Sequence, residues 1–141
     1  MEYRNHMNIK FLSLSENESF ARICVASFCA LKNCSVDEIA DIKTAVSEAV
    51  TNCVVHAYPD NPGEIEIDCE IVNDNVSIKI IDHGVGIKNI ELAKKPFYTT
   101  KPDNDRSGMG FTVMEGFMDK VDVDSVLGIG TKVYLYKKMA S

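Results

Sequence analysis

The spacing of apolar residues over 41–56 predicts an amphipathic helix that carries a polar stripe beside its buried one. Apolar side chains recur at intervals of three and four residues, as on one face of a helix. These positions are Ile42, Ala45, Val46, Ala49, Val50, Cys53 and Val54. Polar side chains recur four residues apart at Thr44, Glu48, Asn52 and His56. Because residues four apart lie above one another on a helix, a carboxylate and a carboxamide on consecutive turns predict a polar site there.

Two further elements are predicted before this helix. Residues 8–14 read as a strand, and residues 17–32 repeat apolar positions at helical spacing. Each of the two helices follows a Ser-x-x-Glu sequence, the first at residues 15–18 and the second at residues 35–38. This sequence is the capping-box pattern of a helix N-terminus, so both helices are expected to begin there.

The first helix is apolar on more than one side. Its predicted core stripe consists of Phe20, Ile23, Cys24, Phe28 and Leu31. Arg22 projects from the opposite side, together with Val25, Ala26 and Cys29. Because a helix that is apolar nearly all round is usually covered twice, the Arg22 side is interpreted as a protein-binding or dimer surface. The alternative is cover from a local loop.

The second half of the chain alternates strands, turns and glycine-rich segments. The predicted elements are strands over 64–71, 76–81, 121–126 and 132–136, and helices near 89–94 and over 108–118. Residues 58–63 and 96–107 read as loops. The order β-α-α-β-β-loop-α-β-β predicts one α+β domain over residues 1–141. Its expected architecture is a two-layer α/β sandwich, with a mixed, mostly antiparallel sheet and helices on one face.

Composition narrows the function classes. A chain of 141 residues with 45% hydrophobic and 26% charged residues is ordinary for a globular domain. Its net charge of -6 argues against a direct nucleic-acid partner. The five cysteines form no C-x-x-C pair, which favours reduced thiols over disulfides or a metal site. Since the apolar runs are too short for a bilayer and the N-terminus has no apolar signal segment, a cytoplasmic protein without membrane contact is expected.

Three glycine-containing segments predict places where a ligand approaches the backbone. Residues 82–87 end a strand, and their aspartate can accept a hydrogen bond from an amine such as that of adenine; the alternative is a plain strand-end turn. Residues 106–110 open a helix, whose N–H groups and Arg106 suit a phosphate; the alternative is an N-cap beside a solvent-facing arginine. Residues 128–131 place a hydroxyl near a ligand or form a hairpin turn.

In this order, the pieces resemble the family of ATPases and kinases that includes gyrase, a heat-shock chaperone, histidine kinases and MutL. That family has an N-box helix, a D-x-G-x-G strand end, a flexible lid, a second glycine box and a final Gly-Thr. The matching positions are Glu48, Asn52, Asp82, Gly84, Gly86, Gly108, Gly110 and Thr131. The strings NESFAR, SEAVTN, TTKP and RSGMGFTVMEGFMD resemble the anti-sigma F factor family of spore-forming bacteria more closely. Ala57 departs from it, since glycine is expected there.

The resemblance implies a Bergerat-type ATP-binding fold that uses ATP/ADP and Mg²⁺. It implies that Glu48 accepts the proton of a serine hydroxyl and that Arg106 meets the γ-phosphate. Asn52 would ligate Mg²⁺, and Asp82 would bind the adenine amine. The remaining implied nucleotide contacts are Gly84, Gly86, Thr99, Thr100, Lys101, Ser107, Gly108, Met109, Gly110 and Thr131.

The resemblance also implies partners. They are a sporulation sigma factor, an anti-anti-sigma protein that is phosphorylated on serine, and a second copy of the chain in a homodimer. Arg22 is expected to contact a protein partner. Three alternatives stay open: the catalytic domain of a histidine kinase, an ATP-gated binding module without catalysis, and a stress-response switch kinase with another sigma partner.

Overall fold

The computed structural model describes residues 2–32, 34–94 and 110–140. The strands are β1 (Arg4–Leu12), β2 (Glu64–Val72), β3 (Asn75–Asp82), β4 (Lys120–Val126) and β5 (Gly130–Lys138). The helices are α1 (Glu16–Ala30), α2 (Val36–Asn52), α3 (Ile90–Ala93) and α4 (Gly110–Phe117), and a π-helical turn (Cys53–Ala57) continues α2. The α+β class and the element order predicted from the sequence are confirmed. Within the described ranges, no helix is long and apolar enough to cross a membrane.

The sheet has the strand order β1-β2-β3-β5-β4, and each of these neighbouring pairs is antiparallel. Two of these four pairs, β2–β3 and β4–β5, are hairpins, in which the chain turns directly back and pairs antiparallel. Strict alternation gives the sheet one buried face, which on β2 consists of Ile65, Ile67, Cys69 and Ile71. The helices α1, α2 and α4 contribute the other half of the same core. The helices therefore cover one face, and the acidic side chains of β2 lie on the other.

The first strand runs from Arg4 to Leu12 rather than over the predicted 8–14. It ends before Ser13 because that residue pairs with the loop before β2. The Ser13 N–H donates to the Gly63 carbonyl at 2.8 Å. The Gly63 N–H donates to Ser13 Oγ at 2.9 Å. These two contacts join the chain just after β1 to the loop before β2, at the position where the sequence pattern predicted that the strand continues.

The two predicted capping boxes have different outcomes. Ser35 and Glu38 form the complete box: the Glu38 N–H donates to Ser35 Oγ at 3.0 Å, and the Ser35 N–H donates to Glu38 Oε1 at 2.9 Å. The box at Ser15 is wrong, because Ser15 has helical backbone angles and makes no side-chain cap. The carboxylate of Glu18 instead accepts a hydrogen bond from the Ser47 hydroxyl on α2. A tertiary contact has replaced the local one.

The predicted core stripe of α1 is confirmed at Phe28 and wrong at Phe20, Ile23 and Leu31. Phe20, Ile23 and Leu31 are 51%, 54% and 69% exposed, and the buried side of α1 is formed by Ala21, Val25, Phe28 and Cys29. The reason is packing against α2, since small side chains on this side let two helix axes approach closely. Apart from Phe28, the large apolar side chains of the predicted stripe were left exposed. The side of α1 that carries Arg22 is therefore partly buried against α2. The exposed apolar surface of α1 lies on the opposite side of the helix.

Candidate functional site

A cavity of about 680 Å³ opens between α2, α3, α4, the end of β3 and the β4–β5 hairpin. Its wall is mostly apolar, with Ala49, Ile87, Phe111, Leu127 and Val133 among the lining residues. A few polar side chains interrupt the wall, and they are Asn52, His56, Asp82, Lys88, Asn89 and Thr131. An apolar cleft of this size with a few polar groups is the usual form of a small-molecule site.

Asp82 ends β3 on the cavity wall and is 5% exposed. Its Oδ1 accepts hydrogen bonds from the N–H of Gly84 at 3.0 Å and the N–H of Thr131 at 3.2 Å. Its Oδ2 lies 3.4 Å from Cys53 Sγ. A buried carboxylate requires such partners because its desolvation is costly. The structure thus brings the predicted base-binding aspartate and Thr131 together.

Gly84 and Gly86 are required by the approach of neighbouring backbone. A Cβ on Gly84 would lie 2.1 Å from the Ala57 carbonyl oxygen, and the next residue, Val85, donates its N–H to that oxygen at 2.9 Å. A Cβ on Gly86 would lie 2.5 Å from the Val126 carbonyl oxygen, and Gly86 has a φ of +77°. Both glycines therefore hold the strand end against the π turn and the hairpin. Gly86 also lines the cavity.

Glu48 and Asn52 lie on consecutive turns of α2, as the four-residue spacing predicts, and both are half-buried. A methyl group on Gly110 would lie 3.3 Å from the side-chain amide of Asn52 and 3.4 Å from Oε2 of Glu48. The first residue of α4 therefore packs against both side chains. The structure brings these three predicted site residues together, and two of them, Asn52 and Gly110, line the cavity.

On its other side, Glu48 lines a polar groove of about 360 Å³ between α1 and α2. The other lining residues are Arg22, Ala40, Lys43, Thr44 and Ser47. The Nε of Arg22 lies 3.8 Å from Oε2 of Glu18, and its Nη2 donates to Ser19 Oγ at 3.3 Å. Arg22 is therefore held at the edge of the groove that leads to Glu48.

Three residues of the site were missed by the sequence reasoning. Cys53 contacts Asp82, as given above. The Ser125 hydroxyl accepts from the Ile87 N–H at 2.7 Å and shares a hydrogen bond with the Thr131 hydroxyl at 2.8 Å. The Tyr58 hydroxyl accepts from the His83 N–H at 2.7 Å and donates to the Glu64 carbonyl at 2.5 Å. The hairpin register, which pairs Ser125 with Thr131, was the one local signal available.

The remaining predicted site residues are Thr99, Thr100, Lys101, Arg106, Ser107, Gly108 and Met109, and they lie outside the described residues. Their roles stay predictions from the resemblance.

Comparison with known proteins agrees with this geometry. Residues 13–137 match the family of the histidine kinase-like ATPase domain. An anti-sigma F factor of Clostridium beijerinckii is 57% identical over 135 residues, which cover 95% of this chain and 94% of the relative. An anti-sigma F factor of Caldanaerobacter subterraneus subsp. tengcongensis is 53% identical over 137 residues, covering 97% and 96%. This chain belongs to the histidine kinase-like ATPases and, within them, to the anti-sigma F factor family.

Membership of the anti-sigma F factor family confirms the resemblance drawn from the sequence. The domain is accordingly one that binds ATP. A solved histidine kinase domain, from the blue-light activated histidine kinase of Erythrobacter litoralis EL346, has a similar fold with a TM-score of 0.59. The match covers 89% of this chain and 60% of that chain at 15% identity, so it bears on the fold alone.

Proposed function

We propose that this chain is an anti-sigma factor and a protein-serine kinase. It binds and inhibits a sporulation sigma factor, and it uses Mg-ATP to phosphorylate a serine of the anti-anti-sigma antagonist. The position of Glu48 carries the proposal, because this carboxylate lies between the start of α4 at the cavity and a polar groove on the surface. A general base needs that position, with the nucleotide on one side and the incoming hydroxyl on the other.

The cavity suits the nucleotide at both ends. Asp82 accepts a hydrogen bond from the exocyclic amine of adenine, and the apolar wall covers the base. Asn52 offers one amide oxygen to Mg²⁺, an ion that commonly takes few protein ligands and completes its shell with phosphates and water. Gly110 begins α4, whose N-terminal dipole favours the phosphates. On the resemblance alone, Arg106 meets the γ-phosphate, and the lid residues Thr99, Thr100 and Lys101 add further contacts with Ser107, Gly108 and Met109.

The transfer step needs one proton acceptor and one stabilised phosphoryl group. The serine oxygen forms a bond to the terminal phosphorus, while the bond from that phosphorus to the oxygen of ADP breaks. The serine proton passes to the Glu48 carboxylate. Mg²⁺, when bound, neutralises charge on the phosphates, and the arginine does the same on the transferred group.

Partner binding is assigned to the groove beside Glu48. Arg22 lines this groove together with Lys43, so an acidic or hydroxyl-bearing segment of a protein can reach Glu48 there. Arg22→Glu should abolish binding of the sigma factor and the antagonist, with ATP affinity unchanged, in pull-down and nucleotide titration experiments. Loss of ATP affinity as well would mean that the variant is misfolded.

The homodimer is assigned to the exposed side of α1 and the neighbouring edge strand. Leu12, Phe20, Ile23 and Leu31 are each more than half exposed there. Phe20 also makes an edge-to-face contact with Phe11 of β1, with ring centroids 6.4 Å apart, so helix and strand form a continuous surface. Exposed apolar patches of this kind mark protein contacts. Sedimentation of Phe20→Asp as a monomer would support the assignment, and a dimer of wild-type stability would refute it.

The kinase proposal is tested by incubating the chain with labelled ATP, Mg²⁺ and the candidate anti-anti-sigma protein. We expect label on one serine of that protein, in a bond that survives acid. An acid-labile product would indicate phosphohistidine and a histidine kinase. Tight sigma-factor binding that requires ATP, without any transfer, would indicate a binding module instead.

A further inference from the structure

Cys53 lies one residue after Asn52, at the start of the π turn. Its side chain is 4% exposed, lines the cavity, and places Sγ 3.4 Å from Oδ2 of Asp82. The thiol is therefore in contact with the carboxylate that the proposed function assigns to the base.

The direction of this hydrogen bond follows from the chemistry of the two groups. The S–H of a thiol donates weakly, and a carboxylate oxygen accepts. Cys53 is therefore the donor, and Oδ2 of Asp82 is the acceptor.

The backbone already occupies the other oxygen of Asp82. Oδ1 accepts from two N–H groups, those of Gly84 and Thr131. A carboxylate oxygen has about two acceptor positions. Among the described residues, Oδ2 has only the thiol as its donor, which leaves one acceptor position. A donor that enters the cavity has that position to use.

We propose that Cys53 is a positioning residue that holds Oδ2 of Asp82 toward the 6-amino group of the base and so strengthens the preference for adenine. This inference rests on the proposed function, in which Asp82 binds the base. With Oδ1 anchored by the backbone, the carboxylate can still turn about that anchor, and the thiol opposes the turn. Because a thiol is a weak donor, it orients Oδ2 without greatly reducing its strength as an acceptor.

The test compares ATP with purine riboside triphosphate, which lacks the 6-amino group. Dissociation constants for both nucleotides are measured on the wild-type chain, Cys53→Ala and Cys53→Ser. In Cys53→Ala we expect the affinity for ATP to fall by about fivefold, as for one net hydrogen bond. The affinity for the analogue should not change, because it does not use the acceptor. Cys53→Ser, which restores a donor, should recover the wild-type ratio of the two constants.

The matched control is Cys69→Ala. Cys69 is fully buried on the inner face of β2 and does not line the cavity, so its removal tests the loss of a core thiol alone. The ratio of the two dissociation constants should stay at the wild-type value in this variant. If Cys53→Ala does not fold, Cys53→Val takes its place, since valine fills the space without donating.

Two results would overturn the role of Cys53. They are an equal loss of affinity for both nucleotides, which indicates packing alone, and an unchanged ratio in the variant that lacks a donor. A failure of the proposed function looks different. The wild-type chain would then bind the two nucleotides equally, and Asp82 itself would not be the receptor of the base.

Discussion

The two ends of the cavity are built in different ways. The base end, named for its proposed ligand, consists of Cys53, Asp82, Ser125 and Thr131, which come from the π turn, β3, β4 and β5 and are joined by hydrogen bonds. The catalytic end, named for its proposed role, consists of Glu48 and Asn52 on one face of α2, with Gly110 against them. Changes at the base end should therefore alter nucleotide affinity, and changes at the catalytic end should alter transfer or the metal-dependent part of binding.

The largest effect is expected at the catalytic end. Glu48→Gln should reduce phosphotransfer by about 100-fold or more, because the variant cannot accept the serine proton. ATP affinity should stay near the wild-type value, since the base end is untouched. Transfer is measured as label on the acceptor serine, and affinity by titration. Transfer at the wild-type rate would show that Glu48 is not the base and would remove the distinction between the two ends.

The next effect belongs to the base end. In Asp82→Asn, the side-chain oxygen can still accept from the Gly84 and Thr131 N–H groups, but its amide then faces the amine of adenine as a second donor. The cost of such an unmatched buried pair is about 1–3 kcal/mol, or roughly 5- to 150-fold in ATP affinity. Titration with ATP checks the affinity, and denaturant unfolding controls for stability. Unchanged affinity in a folded variant would contradict the base assignment.

Asn52→Ala tests whether Asn52, at the catalytic end, contacts the metal ion or the nucleotide. We expect the affinity for Mg-ATP to fall by about tenfold, as for one contact to a charged group. The affinity measured in excess chelator should not change, because no metal contact exists there to lose. A similar loss with and without Mg²⁺ would place Asn52 on the nucleotide instead of the metal.

The smallest expected effect is on the stability of α2, the helix that carries Glu48 and Asn52 and continues into the π turn with Cys53. Ser35→Ala should lower the free energy of unfolding by about 1 kcal/mol, because it removes the capping box of α2. Ser15→Ala is its matched control and should stay within about 0.5 kcal/mol of the wild type, since Ser15 makes no cap. Denaturant unfolding measures both. Neither variant should change the ATP affinity, and a change in Ser35→Ala would mean that the cap also orients the site.

Local patterns predicted much of the fold. The strands β2 and β3, the helix α2 and its cap follow from spacing and end signals that act within a few residues. The same reasoning was wrong for α1, because both sides of that helix are apolar and only the contact with α2 decided between them. Ala21, Val25, Phe28 and Cys29 were buried, and Phe20, Ile23 and Leu31 were left exposed.

The sequence by itself determined the polar strip of α2, because Glu48 and Asn52 stand four residues apart and helical geometry alone brings them to one side. It also determined the family, through motifs that are continuous in the chain. Only the tertiary structure decided how Asp82 is held beyond the local Gly84 N–H, since its other two donors, Thr131 and Cys53, come from segments far apart in sequence. Cys53 is the clearest case of such a distant donor, because no pattern in the sequence around it predicts that it contacts Asp82.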